Sequence, residues 1–156
     1  MKFQNKTQKF LIILTLSAPL PFPALGADTT IDDERTTTQG PTNPPLNGND
    51  SLTITTSGSI STNTNNTGGI DATGGSNQIT NNGAIKTKGD SADGIAATGG
   101  ASVITNNGVM RTEGTSARAI AILGNSNIII NNGAIETGLS TGINTGAGRA
   151  ASLHVV

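Results

Sequence analysis

A 25-residue internal repeat dominates this chain of 156 residues. The phrase Asn-Asn-Gly returns at residues 81–83, 106–108 and 131–133, always at the same interval. When the chain is stacked at this interval, Ile, Gly, Asn and Thr positions fall into shared columns. A fixed period of about 20 to 50 residues is typical of solenoids and other repeat architectures. The sequence therefore predicts several copies of one structural unit.

Each copy contains three short β-type runs. In the third copy these runs read "SVIT", "VMRT" and "AIAIL", and Gly, Asn, Asp or Ser residues separate them. Runs of this length with one dominant apolar position indicate strands bounded by turns. None of the runs has the length or the 3.6-residue spacing of an amphipathic helix. We therefore predict an all-β fold.

Two architectures fit short strands with turns. A meander of hairpins is one, because Asn-Gly between strands is a hairpin signal. A parallel β-helix of about four 25-residue coils is the other. In a β-helix each residue stacks on its equivalent about 4.8 Å away in the next coil, so side-chain type should repeat at the coil period. The shared columns favour the β-helix.

The columns also predict the core and the corner of each coil. We expect three inward apolar columns: Ile54, Ile79, Ile104 and Ile129; Ile60, Ile85, Met110 and Ile135; Ile70, Ile95 and Ile120. The recurring Asn-Gly pairs should form the corner, with a positive φ at glycine and stacked Asn amides in a ladder. These corner residues are Asn82, Gly83, Asn107, Gly108, Asn132 and Gly133.

The rest of the chain suggests an exported protein. Residues 1–27 have three lysines, a short apolar run and then small residues, which predicts a signal peptide cleaved after Gly26 or Ala27. Residues 28–50 are rich in Thr, Pro, Asn and acids, which predicts a disordered linker. Residues 51–146 hold the repeats, and we expect an irregular tail over residues 147–156. Without its signal peptide, the chain should have no membrane-spanning segment.

Composition excludes several functions. After residue 27 the chain has no aromatic residue and no cysteine, and it carries ten acidic and six basic residues. This balance gives a net charge of −4 with His neutral. Nucleic-acid binding requires basic patches and often stacking platforms, so we expect no nucleic-acid partner. We also expect no disulfide framework despite export.

No constellation of residues indicates catalysis, a cofactor or a metal site. The one histidine, His154, is expected to be a solvated tail residue. Asp90 and Asp93 share a variable loop and could reach the separation of a glycosidase pair, but the neighbouring coils replace them with Thr115 and Arg118. The phrase "TGGIDATGG" lacks the nine-residue calcium repeat. Charged residues flank the column Thr62, Thr87, Thr112 and Thr137, which disfavours an ice-binding face.

The copies resemble the repeats in passenger domains of Gram-negative autotransporters. The resemblance rests on the phrase "ITNNGAI.T.G", the Gly/Asn/Thr/Ser bias, the Cys-free composition and the signal peptide, and it covers residues 51–146. It implies a right-handed parallel β-helix displayed outside the cell and a C-terminal translocating barrel. The sequence after Gly138 shows no such barrel strands, so we interpret the chain as the N-terminal piece of a passenger.

These observations predict a non-catalytic structural or adhesive β-solenoid at the cell surface or outside the cell, or in the periplasm if the barrel is absent. Its partner would be an unidentified surface ligand, and the open strand edges could support end-to-end self-association. Two other functions stay open. One is a secreted polysaccharide-active β-helix enzyme of the pectin lyase-like kind, and the other is a trimeric surface adhesin.

Overall fold

Parallel pairing between equivalent residues of successive repeats builds the fold. The computed structural model describes residues 26–42, 44, 46–139, 142–144 and 151–155, and only the backbone at 139, 144 and 151–155. Most of the predicted signal peptide, residues 1–25, lies outside the described residues. The described part of the chain contains no helix long and apolar enough to cross a bilayer.

In this described part, fifteen strands form three parallel sheets. The strands are β1 (Asp28–Ile31), β2 (Glu34–Arg35), β3 (Ser51–Ile54), β4 (Ser59–Thr62), β5 (Ile70–Ala72), β6 (Gln78–Asn81), β7 (Ala84–Thr87), β8 (Ile95–Ala97), β9 (Val103–Asn106), β10 (Val109–Thr115), β11 (Ile120–Ile122), β12 (Asn127–Asn131), β13 (Ala134–Leu139), β14 (Ile143–Asn144) and β15 (Ala151–Val155). The sheet orders are β1-β3-β6-β9-β12-β15 for sheet A, β13-β10-β7-β4-β2 for sheet B and β14-β11-β8-β5 for sheet C.

One strand from each sheet makes one coil. We call β3–β5 coil 1, β6–β8 coil 2, β9–β11 coil 3 and β12–β14 coil 4. Between coils 2 and 3, Ile79 pairs with Ile104, Ile85 with Met110, and Ile95 with Ile120, in each case at the interval of the sequence repeat. All pairings between the described strands are parallel, which confirms the β-helix and excludes the hairpin meander.

The core is a single hydrophobic cluster inside the coils, and it consists of stacked columns of apolar side chains. Ile79, Ile104 and Ile129 are at most 1% exposed, as are Ile60, Ile85, Met110, Ile70, Ile95 and Ile120. Ile135 and Ile143 at the C-terminal end are partly buried against the same cluster. Ile143 extends the Ile70 column because it pairs with Ile120.

Ile54 lies in a different column from the one we expected. It pairs with Asn81, and Leu52 stacks on Ile79 instead. Four residues separate Ile54 from β4, whereas two separate Asn81 from β7, so the corner of coil 1 is two residues longer. The 25-residue alignment therefore misplaces β3 by two residues. Ile54 is still fully buried, because a shift of two keeps the same side of the strand inward.

Residues 28–50 are not a disordered linker in the structure. The described residues of this segment, 28–42, 44 and 46–50, form an N-terminal coil: β1 pairs with β3, β2 pairs with β4, and Gln39 bridges to Ile70. Ile31 is 1% exposed and Leu46 is fully buried. The polar average composition concealed these two apolar side chains, which pack on the edge of coil 1 rather than on a core of their own.

The predicted irregular tail also contains a strand. Ala151–Val155 forms β15 and pairs in parallel with β12, with Leu153 opposite Ile129. The register here is one residue shorter than the repeat interval, so the repeat alignment does not detect it. The backbone of His154 therefore belongs to a sheet rather than to a free tail. The other residues of the predicted tail lie outside the described part.

Candidate functional site

The loops between sheets B and C form the most variable surface of the solenoid. Residues 63–68, 88–93 and 113–118 differ in sequence, and the threonine that precedes each segment closes it with a hydrogen bond. In the third segment, β10 extends through Thr115 before the chain turns. The Thr62 hydroxyl donates to the Thr67 carbonyl at 2.8 Å, and the Thr87 hydroxyl donates to that of Ala92 at 2.6 Å. Both threonines are almost fully buried, so this column cannot be a solvent-facing ice-binding surface.

Hydrogen bonds between coils hold the loops in register. The Asp90 backbone N–H donates to the Asn65 side chain at 2.9 Å, and the Thr115 N–H donates to the Asp90 carboxylate at 2.8 Å. Ser91 and Ser116 have positive φ angles of 54° and 59°, a conformation that costs energy outside glycine. Loop tips are therefore fixed in shape while their exposed side chains differ.

An ion pair fixes the end of two neighbouring loops. Arg118 donates to Asp93 through Nε at 3.0 Å and through Nη2 at 2.6 Å, and the Arg118 backbone N–H donates to the same carboxylate at 2.8 Å. The side-chain hydrogen bond to Asp93 raises the pKa of Arg118. Because both Asp93 oxygens are occupied, this carboxylate is held as a structural partner of the next coil.

A polar groove of about 280 Å³ lies beside these loops at the level of coils 1 and 2. Its lining includes Thr38, Asn66, Asp71, Ser91 and Asp93. Burial raises the pKa of Asp71. Asp71 pairs with Ala96, which in turn pairs with Ala121, so the next two coils place small, neutral side chains where coil 1 has a carboxylate. The groove joins Asp71 and Asp93, which the sequence did not predict to meet.

Charged residues on the outer face of sheet B form a small network. In one outward column, Lys86 pairs with Arg111 and Arg111 pairs with Glu136. Glu113 contacts both cations, at 3.3 Å from Lys86 Nζ and 3.0 Å from Arg111 Nε. Partial desolvation opposes ionisation of Glu113, but Lys86, Arg111 and the nearby Lys88 outweigh it and lower its pKa. These exposed pairs contribute little stability.

Two ladders of asparagine side chains run along the corner. In the exposed ladder, Asn132 Nδ2 donates to Asn107 Oδ1 and Asn107 Nδ2 donates to Asn82 Oδ1, both at 2.8 Å. The residue before each of them forms a second, buried ladder that we did not predict. There the donors point the other way: Asn81 donates to Asn106 and Asn106 donates to Asn131, both at 2.7 Å.

The corner glycines do not have the positive φ that we expected. Among the described glycines only Gly40 and Gly48 have one. The requirement at Gly83, Gly108 and Gly133 is close approach instead: a Cβ on Gly108 would overlap the Gly83 carbonyl oxygen, and a Cβ on Gly133 would overlap that of Gly108. Stacked coils, rather than a left-handed backbone, exclude side chains from this column.

A fourth column closes the corner before sheet A and was missed by the sequence reasoning. Asp50, Asn77, Ser102 and Asn127 are each at most 5% exposed. The Asp50 N–H donates to Asn77 Oδ1 at 3.1 Å, Asn77 N–H to Ser102 Oγ at 3.2 Å, and Ser102 N–H to Asn127 Oδ1 at 2.8 Å. The amide nitrogen of Asn127 has no hydrogen-bond partner within the described part. The mixture of residue types obscured this column in the sequence.

The described residues contain no group of three or more His, Cys, Asp or Glu that could hold a metal ion. Comparison of the chain with models of known families, with characterised proteins and with solved structures finds no match. The solenoid fold and its polar loop surface are therefore the findings from which a function can be proposed.

Proposed function

We propose that the chain is a non-catalytic structural or adhesive solenoid, exported and displayed at the cell surface or released, and that its repeats are those of an autotransporter-like passenger. The parallel coils and the resemblance of the repeats support this proposal. One observation carries it: three stacked loops share one hydrogen-bonded frame but present different side chains. A rigid frame with variable polar tips suits recognition, because little ordering entropy is lost on binding.

Loop exchange tests the adhesive role. Residues 63–67 can be replaced by the sequence of residues 88–92. The two segments have the same length, and each directly follows the threonine that closes its loop. Microspheres coated with the full chain would be counted on a cultured epithelial layer, and far-UV circular dichroism would verify that the coils persist. We expect the exchange to lower retention without changing the spectrum.

A matched control variant is Ala84→Ser, which restores the residue type of Ser59 on sheet B. It should leave retention unchanged. If coated and uncoated microspheres are retained equally, the adhesive role is wrong. Accessibility of the exported chain to protease added to intact cells tests surface display separately.

The polysaccharide-active enzyme has one observation in its favour, the groove shared by Asp71 and Asp93. A glycosidase needs one carboxyl group as an acid and another as a base or nucleophile, and Asp71 has the raised pKa of an acid. Asp93, however, is engaged by Arg118 at both oxygens. We expect no release of reducing ends from polygalacturonate; release that Asp71→Asn abolishes would establish the enzyme instead.

A further inference from the structure

Asp50 is a buried carboxylate without a cationic side chain. It is 5% exposed, and it takes part in no salt bridge with the described residues. Its oxygens accept the backbone N–H groups of Ala27 at 2.7 Å, Asn47 at 2.9 Å and Gly48 at 3.0 Å. Burial opposes its ionisation, but these three donors outweigh burial and lower the pKa of Asp50. A buried charge of this kind normally has a countercharge.

The position of this charge in its column is informative. The other members, Asn77, Ser102 and Asn127, are neutral, and each accepts the backbone N–H of the preceding coil. Asp50 is the first member, and it accepts a hydrogen bond from the backbone N–H of Ala27. The only acid in the column therefore lies at the end where the chain enters the solenoid.

Ala27 is also where the sequence predicts a cut. Ala24-Leu25-Gly26 places small residues at the two positions that signal peptidases require, directly before Ala27. A cut after Ala27 would place Leu25 at one of these positions and would remove the nitrogen that Asp50 binds. The sequence left both cuts open, and the contact with Asp50 distinguishes them.

We infer that the signal is cut between Gly26 and Ala27, and that the new α-ammonium group of Ala27 becomes the countercharge of Asp50. This inference rests on the proposed export. Water hydrolyses the peptide bond: its hydroxyl joins the Gly26 carbonyl carbon, and the Ala27 nitrogen leaves as an amine that is protonated at neutral pH. The nitrogen already lies 2.7 Å from Asp50 Oδ1, so an ordinary hydrogen bond becomes a charge-assisted one without rearrangement.

The surroundings of Ala27 favour a positive charge. Asp28 receives a hydrogen bond from the Ser51 hydroxyl and lines the same surface cleft as Asp50, together with Asn49, Ser76 and Gln78. Among the described residues, the lining of this cleft includes two carboxylates and no basic side chain. Processing would thus fasten the N-terminal coil to coil 1 after export.

The test uses the full-length gene expressed in a Gram-negative host. Intact mass of the exported product should show loss of residues 1–26. Urea unfolding of that product between pH 6 and pH 10 should then show a loss of stability as pH rises through the pKa of the paired ammonium, above the ordinary α-amino range of about 7.7–8.0. We expect the unfolding constant to rise about tenfold, equivalent to about 1.4 kcal/mol.

Asp50→Asn is the matched variant, because Asn occupies the same column in coils 2 and 4. It should be processed at the same bond and should lack the pH-dependent loss. An exported product that begins at Asp28, or an equal pH slope in the two proteins, would overturn the inference while export stands. A chain retained uncut in the cytoplasm would contradict the proposed export. The ion pair would then be tested on a chain cut in vitro at an engineered protease site before Ala27, and an equal pH slope there would overturn it.

Discussion

The first two coils of the solenoid and the three that follow solve the same packing problem with different chemistry. One inward column of sheet A holds Ile31 and Ile54 in the first two coils and Asn81, Asn106 and Asn131 in the next three. The isoleucines are buried by apolar contact, whereas the asparagines are buried by amide hydrogen bonds along the axis. The position therefore accepts either kind of side chain, and the two kinds meet where Ile54 pairs with Asn81.

The difference lies in how strictly the N-terminal coils and the middle coils depend on the repeat. Coils 2 and 3 keep the repeat interval in all three sheets. In sheet A, the step from the N-terminal coil to coil 1 is shorter than this interval, and the step from coil 1 to coil 2 is longer. A ladder of amides requires close, equivalent positions, whereas apolar contact tolerates corners of different length. Coils 2 and 3 should thus be more sensitive to small polar changes.

Removal of the N-terminal coil should have the largest effect on stability. A chain of residues 51–156 lacks the N-terminal coil and uncovers Leu52, Ile54 and Ile60, which are all fully buried in the structure. It also leaves the edges of β3 and β4 unpaired, and such edges are templates for association. We expect this chain to be marginally folded and to associate end to end, as measured by sedimentation velocity and far-UV circular dichroism. A monomer at all concentrations that unfolds cooperatively would contradict this.

Loss of a buried isoleucine should distinguish the middle of the stack from its end. Ile104→Ala should cost about 2 to 4 kcal/mol, because Ile104 is fully buried between Ile79 and Ile129. Ile31→Ala should cost less in global stability, because an end coil has only one neighbour and can open alone. Urea unfolding of the two variants measures this difference. Equal losses would show that the N-terminal coil unfolds together with the rest.

The next largest difference in stability should be between the buried and the exposed asparagine ladder. Asn106→Ala leaves the Asn81 donor and the Asn131 acceptor buried without their partner, and each unsatisfied group costs about 1 to 3 kcal/mol. Asn107→Ala removes the matched pair of bonds on the exposed ladder, where water replaces them, so we expect a loss of about 1 kcal/mol or less. Chemical denaturation tests both. A larger loss for Asn107→Ala would refute the role assigned to burial.

Asp71 should make the free energy of unfolding depend on pH. Its folded pKa is raised above 3.8 by burial, so the folded state favours the protonated form. Stability is therefore highest below the unfolded pKa and falls as pH rises through the folded pKa. Asp71→Ala, which matches Ala96 and Ala121 in the column, should raise the urea midpoint at pH 7 and leave it nearly unchanged at pH 3. A lower midpoint at pH 7 would contradict the assigned cause.

The sequence predicted the all-β solenoid because identical residues at a fixed interval imply stacking of equivalents. It predicted the exposed Asn82 ladder for the same reason. It misplaced Ile54 because a corner that is two residues longer keeps the apolar pattern and changes only the partner. It missed Asp50 because the column mixes Asp, Asn and Ser, which share one role as acceptors of a backbone N–H but no common letter. A role that Asp, Asn and Ser can all fill leaves no repeated residue type in the sequence.

The smallest predicted effect concerns a strained corner between coils 2 and 3. Asn49, Ser76, Ala101 and Ser126 occupy the position before the Asp50 column, and all four have a φ near 60°. Asn tolerates this left-handed conformation best, whereas Ala lacks a side chain that can bond locally and costs roughly 1 to 2 kcal/mol there. Ala101 is exposed, so Ala101→Asn needs no repacking and should raise stability by about 0.5 to 1 kcal/mol. Ala84→Asn, on an extended strand, is the matched control and should give no gain because no left-handed strain exists there. Thermal and urea unfolding of both variants would measure the difference, and an equal change in the two would show that the corner stores no strain.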